Sequence, residues 1–206
     1  MTGIDKNSLR ADLRLLREEA HARDPDAGET LAGKFPLKLL ERYGPIVSGY
    51  LPIGSEINSM PLMERLADAG AQLCLPRVEQ DGEMSFRLWK PGDALEDRPF
   101  GLREPPENSI RTEPTLLLVP LLGFDKLGTR LGYGKGHYDK ALDRLRDDGR
   151  VFACGLAFHA QMLDELPPEP HDQPLDWAMT ERGSVPIFMM RAFADDRGSD
   201  GGPSAA

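Results

Sequence analysis

The chain has 206 residues, 40% of them hydrophobic, which suits one domain and excludes a wholly disordered polypeptide. With 25 basic residues against 34 acidic ones the formal net charge is −9. That balance argues against nucleic acid or an anionic membrane as partner. Cys74 and Cys154 stand far apart and show no zinc-ligand spacing; they suit a reducing cytosol, with a disulfide between them left open. The first residues lack the apolar core of a signal peptide, and the best apolar run, 116–124, is broken by Pro120 well short of a membrane span. The expectation is a soluble cytoplasmic protein, one domain over 1–194, with a disordered polar tail over 195–206.

In chain order, Leu9, Leu13, Leu16 and Ala20 recur at helical spacing behind Asp5, a candidate N-cap. Lys6 and Arg10, four apart, share one face of that helix. A second helix is predicted within 29–42, bent or delayed by Pro36, and Gly44-Pro45 stops it. Residues 46–51 read as a buried strand. Asn58 or Ser59 caps a third helix, with Pro61 in its first turn and Gly70 at its end. Short strands follow at 72–75 and 84–89. The stretch 90–112, rich in proline and charge, reads as an irregular connection, an interface or a lid. The clearest strand is 115–119; a glycine-rich loop runs from it to Gly136, then a helix over 137–148. Strands at 151–157 and 175–179 come next, 186–191 is expected to close the sheet, and Met189-Met190 reads as core. Alternating strands and helices predict an α/β fold of three layers, α/β/α, with a mostly parallel sheet. Ligands in such folds bind beyond the carboxyl ends of strands, here the loops after Leu51 and Val119.

The loop after the clearest strand carries five glycines between Gly123 and Gly136. Such density lets backbone N–H groups approach a ligand closely, and the following helix N-terminus adds unpaired donors and positive dipole. Arg130 and Lys135 add formal charge, so the segment reads as a polyphosphate cradle, the plainer alternative being a solvated turn. It is neither a P-loop, since Gly136 follows Lys135, nor a dinucleotide fingerprint, since His137 stands where glycine is needed. Asp139, in the first helical turn, either offsets the dipole or supplies a hard oxygen ligand for Mg²⁺. Asp176, within an apolar run, either caps a turn or faces a site. Glu56 lies near the predicted binding edge, or is an ordinary loop carboxylate. His21 reads as solvated, and His171-Asp172 as a hydrogen-bonding pair. No serine-nucleophile motif is present.

The run Phe124-Asp125, then Gly128 through Asp139, resembles the diagnostic loop of the 5-formyltetrahydrofolate cyclo-ligase (methenyltetrahydrofolate synthetase) family. Lys6-Asn-Ser-Leu-Arg10, Tyr50-Leu51-Pro52 with Glu56, Leu75-Pro-Arg-Val78, Phe100-Gly-Leu-Arg-Glu-Pro105 and His171-Asp-Gln-Pro-Leu-Asp176 extend the resemblance over most of the chain. Members often carry Arg where Tyr133 stands and Tyr where His137 stands. The resemblance implies a fold akin to the NagB/ribose-phosphate isomerase/CoA-transferase group. It also implies ATP- and Mg²⁺-dependent conversion of 5-formyltetrahydrofolate to 5,10-methenyltetrahydrofolate with release of ADP and phosphate. On that basis Lys6, Arg10, Arg130, Leu131, Gly132, Tyr133, Gly134, Lys135, Gly136, His137 and Tyr138 hold ATP, with Lys135 and Arg130 catalytic. Leu51, Glu56 and Tyr133 contact folate, and Asp139 and Asp176 hold the metal. The expected partners are small molecules only, with oligomeric state open. Two other readings stand beside this one: a non-catalytic nucleotide- or folate-binding paralogue, and a sugar-phosphate or CoA-ester enzyme sharing the fold.

Overall fold

The computed structural model describes residues 5–149 and 151–187. Helix α1 (Lys6–Arg23) starts on Asp5, whose carboxylate accepts the Asn7 amide at 3.0 Å. Two helices, α2 (Ala27–Lys34) and α3 (Lys38–Tyr43), replace the one predicted over 29–42. Pro36 separates them, and Phe35 before it takes the extended backbone that a following proline favours. Strand β1 (Ile46–Ser48) is shorter than its apolar run. Helix α4 (Met60–Asp68) is capped by Asn58, whose Oδ1 accepts the Met60 amide at 3.1 Å, while the Ser59 hydroxyl turns to the Tyr50 carbonyl.

Strands β2 (Gln72–Val78) and β3 (Met84–Leu88) form a hairpin. The segment 90–112 is less irregular than expected. It holds β4 (Glu96–Asp97) and β5 (Arg103–Glu104), paired with each other, and β6 (Arg111–Thr112), which joins β3. Two-residue strands leave no periodicity to read; ion pairs of Arg77 with Glu96 (2.7 Å) and Arg98 with Glu104 (3.0 Å) fasten them instead.

The rest of the chain runs β7 (Leu116–Pro120), β8 (Gly123–Phe124), β9 (Arg130–Leu131), α5 (His137–Asp148), β10 (Phe152–Leu156), β11 (Trp177–Thr180) and β12 (Gly183–Val185). Among the described residues the sheet ends in β12, before Pro186. Residues 188–191, Met189-Met190 and the tail lie outside the described residues.

Eight strands form one sheet in the order β12-β11-β10-β7-β1-β2-β3-β6. The five from β11 to β2 are parallel; β12 on one side and β3 and β6 on the other are antiparallel. The alternation of side chains sorts the core into layers. Leu116 and Leu118 pack with α2, α3 and α4 on one face, whereas Leu117 and Val119 pack with Ala141, Leu142 and Leu145 of α5 on the other. The same alternation puts Cys154 and Cys74 on opposite faces, free and buried, so the disulfide is not formed. Helix α1 makes a separate cluster, with Leu13 against Leu122, Leu131 and Leu166.

From β1 the chain goes through α4 to β2 on one side; from β7 it goes through α5 to β10 on the other. The order of strands therefore reverses between β1 and β7, the position beyond whose carboxyl ends sheets of this kind bind ligands.

Gly128 illustrates how tightly the loop after β7 is packed. Its φ is +87°, and an added Cβ would lie 2.6 Å from the Leu175 carbonyl oxygen. Gly136 has φ +68° with open space around it. Gly136→Ala should therefore cost only the left-handed backbone penalty, about 1–2 kcal/mol. Gly128→Ala should cost clearly more, about 3 kcal/mol or above, because backbone must move as well. Urea unfolding of the two variants checks the difference.

Candidate active site at the strand-order reversal

The glycine-rich segment is a folded hairpin rather than an open loop, since β8 pairs with β9. Asp125, 1% exposed, builds its turn: Oδ1 accepts the Leu127 and Thr129 amides at 2.9 and 3.0 Å, and Oδ2 accepts Leu166 N–H at 3.0 Å. Leu131 packs its side chain into the α1 cluster, and its carbonyl accepts the Leu122 amide at 2.8 Å. Its side chain therefore anchors the loop and does not face a ligand.

Arg130 is buried at 8% exposure and donates to Asp139 Oδ1 at 2.6 Å and to the Gln173 carbonyl. Burial pulls its guanidinium below the ordinary value, against the pull of the Asp139 carboxylate. Asp139 Oδ1 also accepts the Gln173 amide at 3.1 Å. Asp176 is engaged differently: its Oδ2 accepts the Ala153 amide at 2.9 Å and the Arg146 guanidinium at 3.1 Å. The two carboxylates expected to share a metal thus each hold an arginine, with Gln173 linking them through its bonds to Asp139 and Arg146. All these hydrogen bonds fall on one oxygen of each carboxylate. The other oxygens, Asp139 Oδ2 and Asp176 Oδ1, are hard donors, so in donor chemistry these two residues suit Mg²⁺.

Helix α1 lays a basic stripe along the loop. Arg10 Nε donates to the Gly132 carbonyl at 3.0 Å, and a Cβ on Gly134 would lie 3.2 Å from the Arg10 guanidinium carbon. Lys6 reaches Glu169 at 3.0 Å and Asp172 at 3.8 Å. Donor atoms of Glu169, His171 and Asp172 lie within 4.8 Å of one another, a second group able to hold a cation, already faced by the Lys6 ammonium. His171 pairs with Glu169 at 3.4 Å rather than with Asp172. Arg14 and Arg17 continue the stripe, their guanidinium carbons 6.0 and 5.7 Å from the centre of the Tyr133 ring.

The two loops meet at Glu56, which is 4% exposed. Its Oε2 accepts the Ile53 amide at 2.9 Å, and its Oε1 accepts the Tyr133 hydroxyl. Arg17 Nη1 donates to the same hydroxyl at 2.5 Å and lies 3.7 Å from Glu56 Oε1. Arg17 is itself fixed by its Nε donating to Ser55 Oγ at 3.0 Å. Burial and the neighbouring Glu56 push the Tyr133 hydroxyl up to about 12, and burial raises Tyr138 and Tyr50 as well.

Of the predicted residues, Tyr133 touches Glu56 and Arg10 touches Gly132, while Leu51 is half-buried against the core. Lys135 is exposed and makes no hydrogen bond or ion pair among the described residues, and His137 opens α5. The sequence reading missed Arg14 and Arg17, although Lys6, Arg10, Arg14 and Arg17 form a 4-4-3 spacing that marks one helix face. Arg146, Gln173 and Asp125 carried no local signal. His21 is half-buried with its ring edge-on to Phe158 at 6.2 Å, not solvated.

The sequence profile of the 5-formyltetrahydrofolate cyclo-ligase family matches residues 3–181. The chain belongs to that family. A 5-formyltetrahydrofolate cyclo-ligase of Mycolicibacterium smegmatis is 35% identical over 200 residues, covering 91% of this chain and all of that one. The Escherichia coli K12 cyclo-ligase is 27% identical over 177 residues, covering 81% of this chain and 96% of its own. The solved structure of Aquifex aeolicus 5,10-methenyltetrahydrofolate synthetase superposes with a TM-score of 0.70 at 25% identity, covering 98% of this chain and 96% of that one.

Burial raises the Glu56 carboxyl above its ordinary 4.5, against the lowering effects of Tyr133, the Ile53 amide and Arg17. The folded cyclo-ligase therefore holds that proton more tightly than the unfolded chain does. Glu56 favours folding most below pH 4.5, and that contribution is lost as pH rises through its folded value. The stability difference, wild type minus Glu56→Gln, should accordingly fall as pH rises above 4.5 in urea unfolding. A flat difference would return Glu56 to an ordinary carboxylate.

Proposed function

We infer that this chain catalyses the ATP-dependent cyclisation of 5-formyltetrahydrofolate to 5,10-methenyltetrahydrofolate, releasing ADP and phosphate. The observation that carries the reading is the contact of Tyr133, on the phosphate-type loop after β7, with Glu56, on the loop after β1. A cyclo-ligase needs nucleotide and folate side by side, and the strand-order reversal supports that arrangement.

The formyl oxygen of the N5 amide is a poor leaving group. Transfer of the γ-phosphoryl to that oxygen activates the carbon; N10 then attacks it and phosphate departs with the former formyl oxygen. No covalent enzyme intermediate is required, in keeping with the lack of a serine-nucleophile motif. Catalysis rests on alignment and on neutralising charge in transit. Glu56 receives the ring N–H donors of the folate, over an apolar floor that includes Leu51. Lys6, Arg10 and the backbone from Arg130 to Tyr138 hold the triphosphate, with α5 adding its N-terminal dipole. Lys135, exposed and unpaired, meets the transferred phosphoryl, whereas buried Arg130 fixes the loop through Asp139 and adds positive potential. Asp139 and Asp176 would hold Mg²⁺. When bound, the ion supplies charge neutralisation on the phosphate oxygens. The fold reads as that of the NagB/ribose-phosphate isomerase/CoA-transferase group. Two buried, unpaired thiols suit the cytosol, and burial holds both in the unreactive thiol form, Cys74 pushed up to about 12.

Purified protein with 5-formyltetrahydrofolate and Mg²⁺ should develop the near-ultraviolet absorbance of the methenyl product only when ATP is added. Absence of that rise overturns the reading. Lys135→Ala should lower kcat roughly 10²–10³-fold, the loss expected for one charge-stabilising contact of about 2.7–4 kcal/mol; near-native turnover would remove Lys135 from the chemistry. Asp139→Asn should demand more Mg²⁺ for half-maximal rate, and an unchanged Mg²⁺ titration would leave Asp139 only its bonds to Arg130 and Gln173.

A further inference from the structure

Glu56 is out of reach as the structure stands. Its side chain is 3% exposed, so a folate that is to bond to it must displace something. Of the groups on it, the Ile53 amide belongs to its own loop, and Arg17 is 6% exposed and tied to Ser55. Tyr133 differs from both. It is 40% exposed and sits between Gly132 and Gly134, the latter at φ +88°. Its hydroxyl bridges the two buried charges, accepting from Arg17 and donating to Glu56.

Tyr133 also belongs to the glycine-rich segment, three residues from Arg130 and two from Lys135. Any rearrangement that wraps the backbone of 132–136 around a triphosphate moves Tyr133 with it. A hydroxyl that hydrogen-bonds two buried side chains at once resists that movement.

We propose that Tyr133 is a positioning residue that couples the two substrate sites: its hydroxyl covers Glu56 in the free enzyme, and nucleotide binding to the same loop draws it away so that folate can take the carboxylate. The proposal rests on the cyclo-ligase reading above. By linkage, folate binding then favours nucleotide binding by the same factor, for which 5- to 150-fold is the usual range. Arg17 keeps the released hydroxyl close by, so the cover returns when the products leave.

Calorimetric titration with 5-formyltetrahydrofolate, with and without the β,γ-imido analogue of ATP, tests this in the wild type and in Tyr133→Phe. In the wild type the analogue should tighten folate binding at least fivefold. Tyr133→Phe should bind folate about 10-fold more tightly than the wild type when no nucleotide is present, and the analogue should then add less than twofold. A gain in affinity is a result that mere structural damage does not produce. Tyr133→Ala should lose the coupling in the same way, so a folding defect in one variant leaves the other to decide. The proposal is overturned if the variants bind folate no more tightly without nucleotide, or if they keep the wild-type effect of the analogue. Wild-type protein that binds neither folate nor the analogue overturns the cyclo-ligase reading and this proposal with it; coupling unchanged in the variants removes only the proposal.

Discussion

The parallel pairing of β1 with β7 is the constraint on which the site depends. Val47 faces Leu116 and Ser48 faces Leu117 across that ladder. Because the chain leaves these two strands in opposite directions, the loops at their carboxyl ends are free to meet beyond the sheet edge. Glu56 and Tyr133, 77 residues apart in sequence, meet there. Were β7 to pair elsewhere, the glycine-rich hairpin would still form from its own Asp125, but it would have no carboxylate to meet.

Charge in the site is arranged in small neutral groups. Arg130 is matched by Asp139, Arg146 by Asp176, Arg17 by Glu56 and Lys6 by Glu169. A chain with net charge −9 can build an anion site in this way only if the cations are concentrated. The spacing along α1 does that, placing four of them on the face toward the hairpin. Pairing also limits the cost of burying Arg17 and Arg130, since an uncompensated buried charge would be strongly destabilising. Among the described residues Lys135 stands outside the pairs, with its charge unmatched.

Much of the fold was legible because its signals are local. The helix over 137–148 and the strand near 115–119 appear where their apolar patterns put them. The helix pair around Pro36 was half legible, since proline marks a disturbance without saying whether it bends a helix or divides it. The ladders within 90–112 were not legible at all. They are two residues long and are fastened by Arg77 and Arg98, whose partners are distant or carry no periodic pattern. Likewise the β8–β9 hairpin hid among glycines, because its closing residue, Asp125, acts through backbone amides rather than through a sequence repeat.

The sequence by itself determined the layer order, the glycine-rich loop with its following helix and the candidate charges on it, since periodicity, glycine density and capping act over a few residues. Only the tertiary structure decided what those charges face. It turned Asp139 and Asp176 toward separate arginines, directed the Leu131 side chain into the core, and brought Arg17, Tyr133 and Glu56 into one hydrogen-bonded group. The physical reason is that a buried charge takes its partner from whatever the packing of the sheet and helices brings within about 3 Å, and no local pattern in the chain encodes that distance.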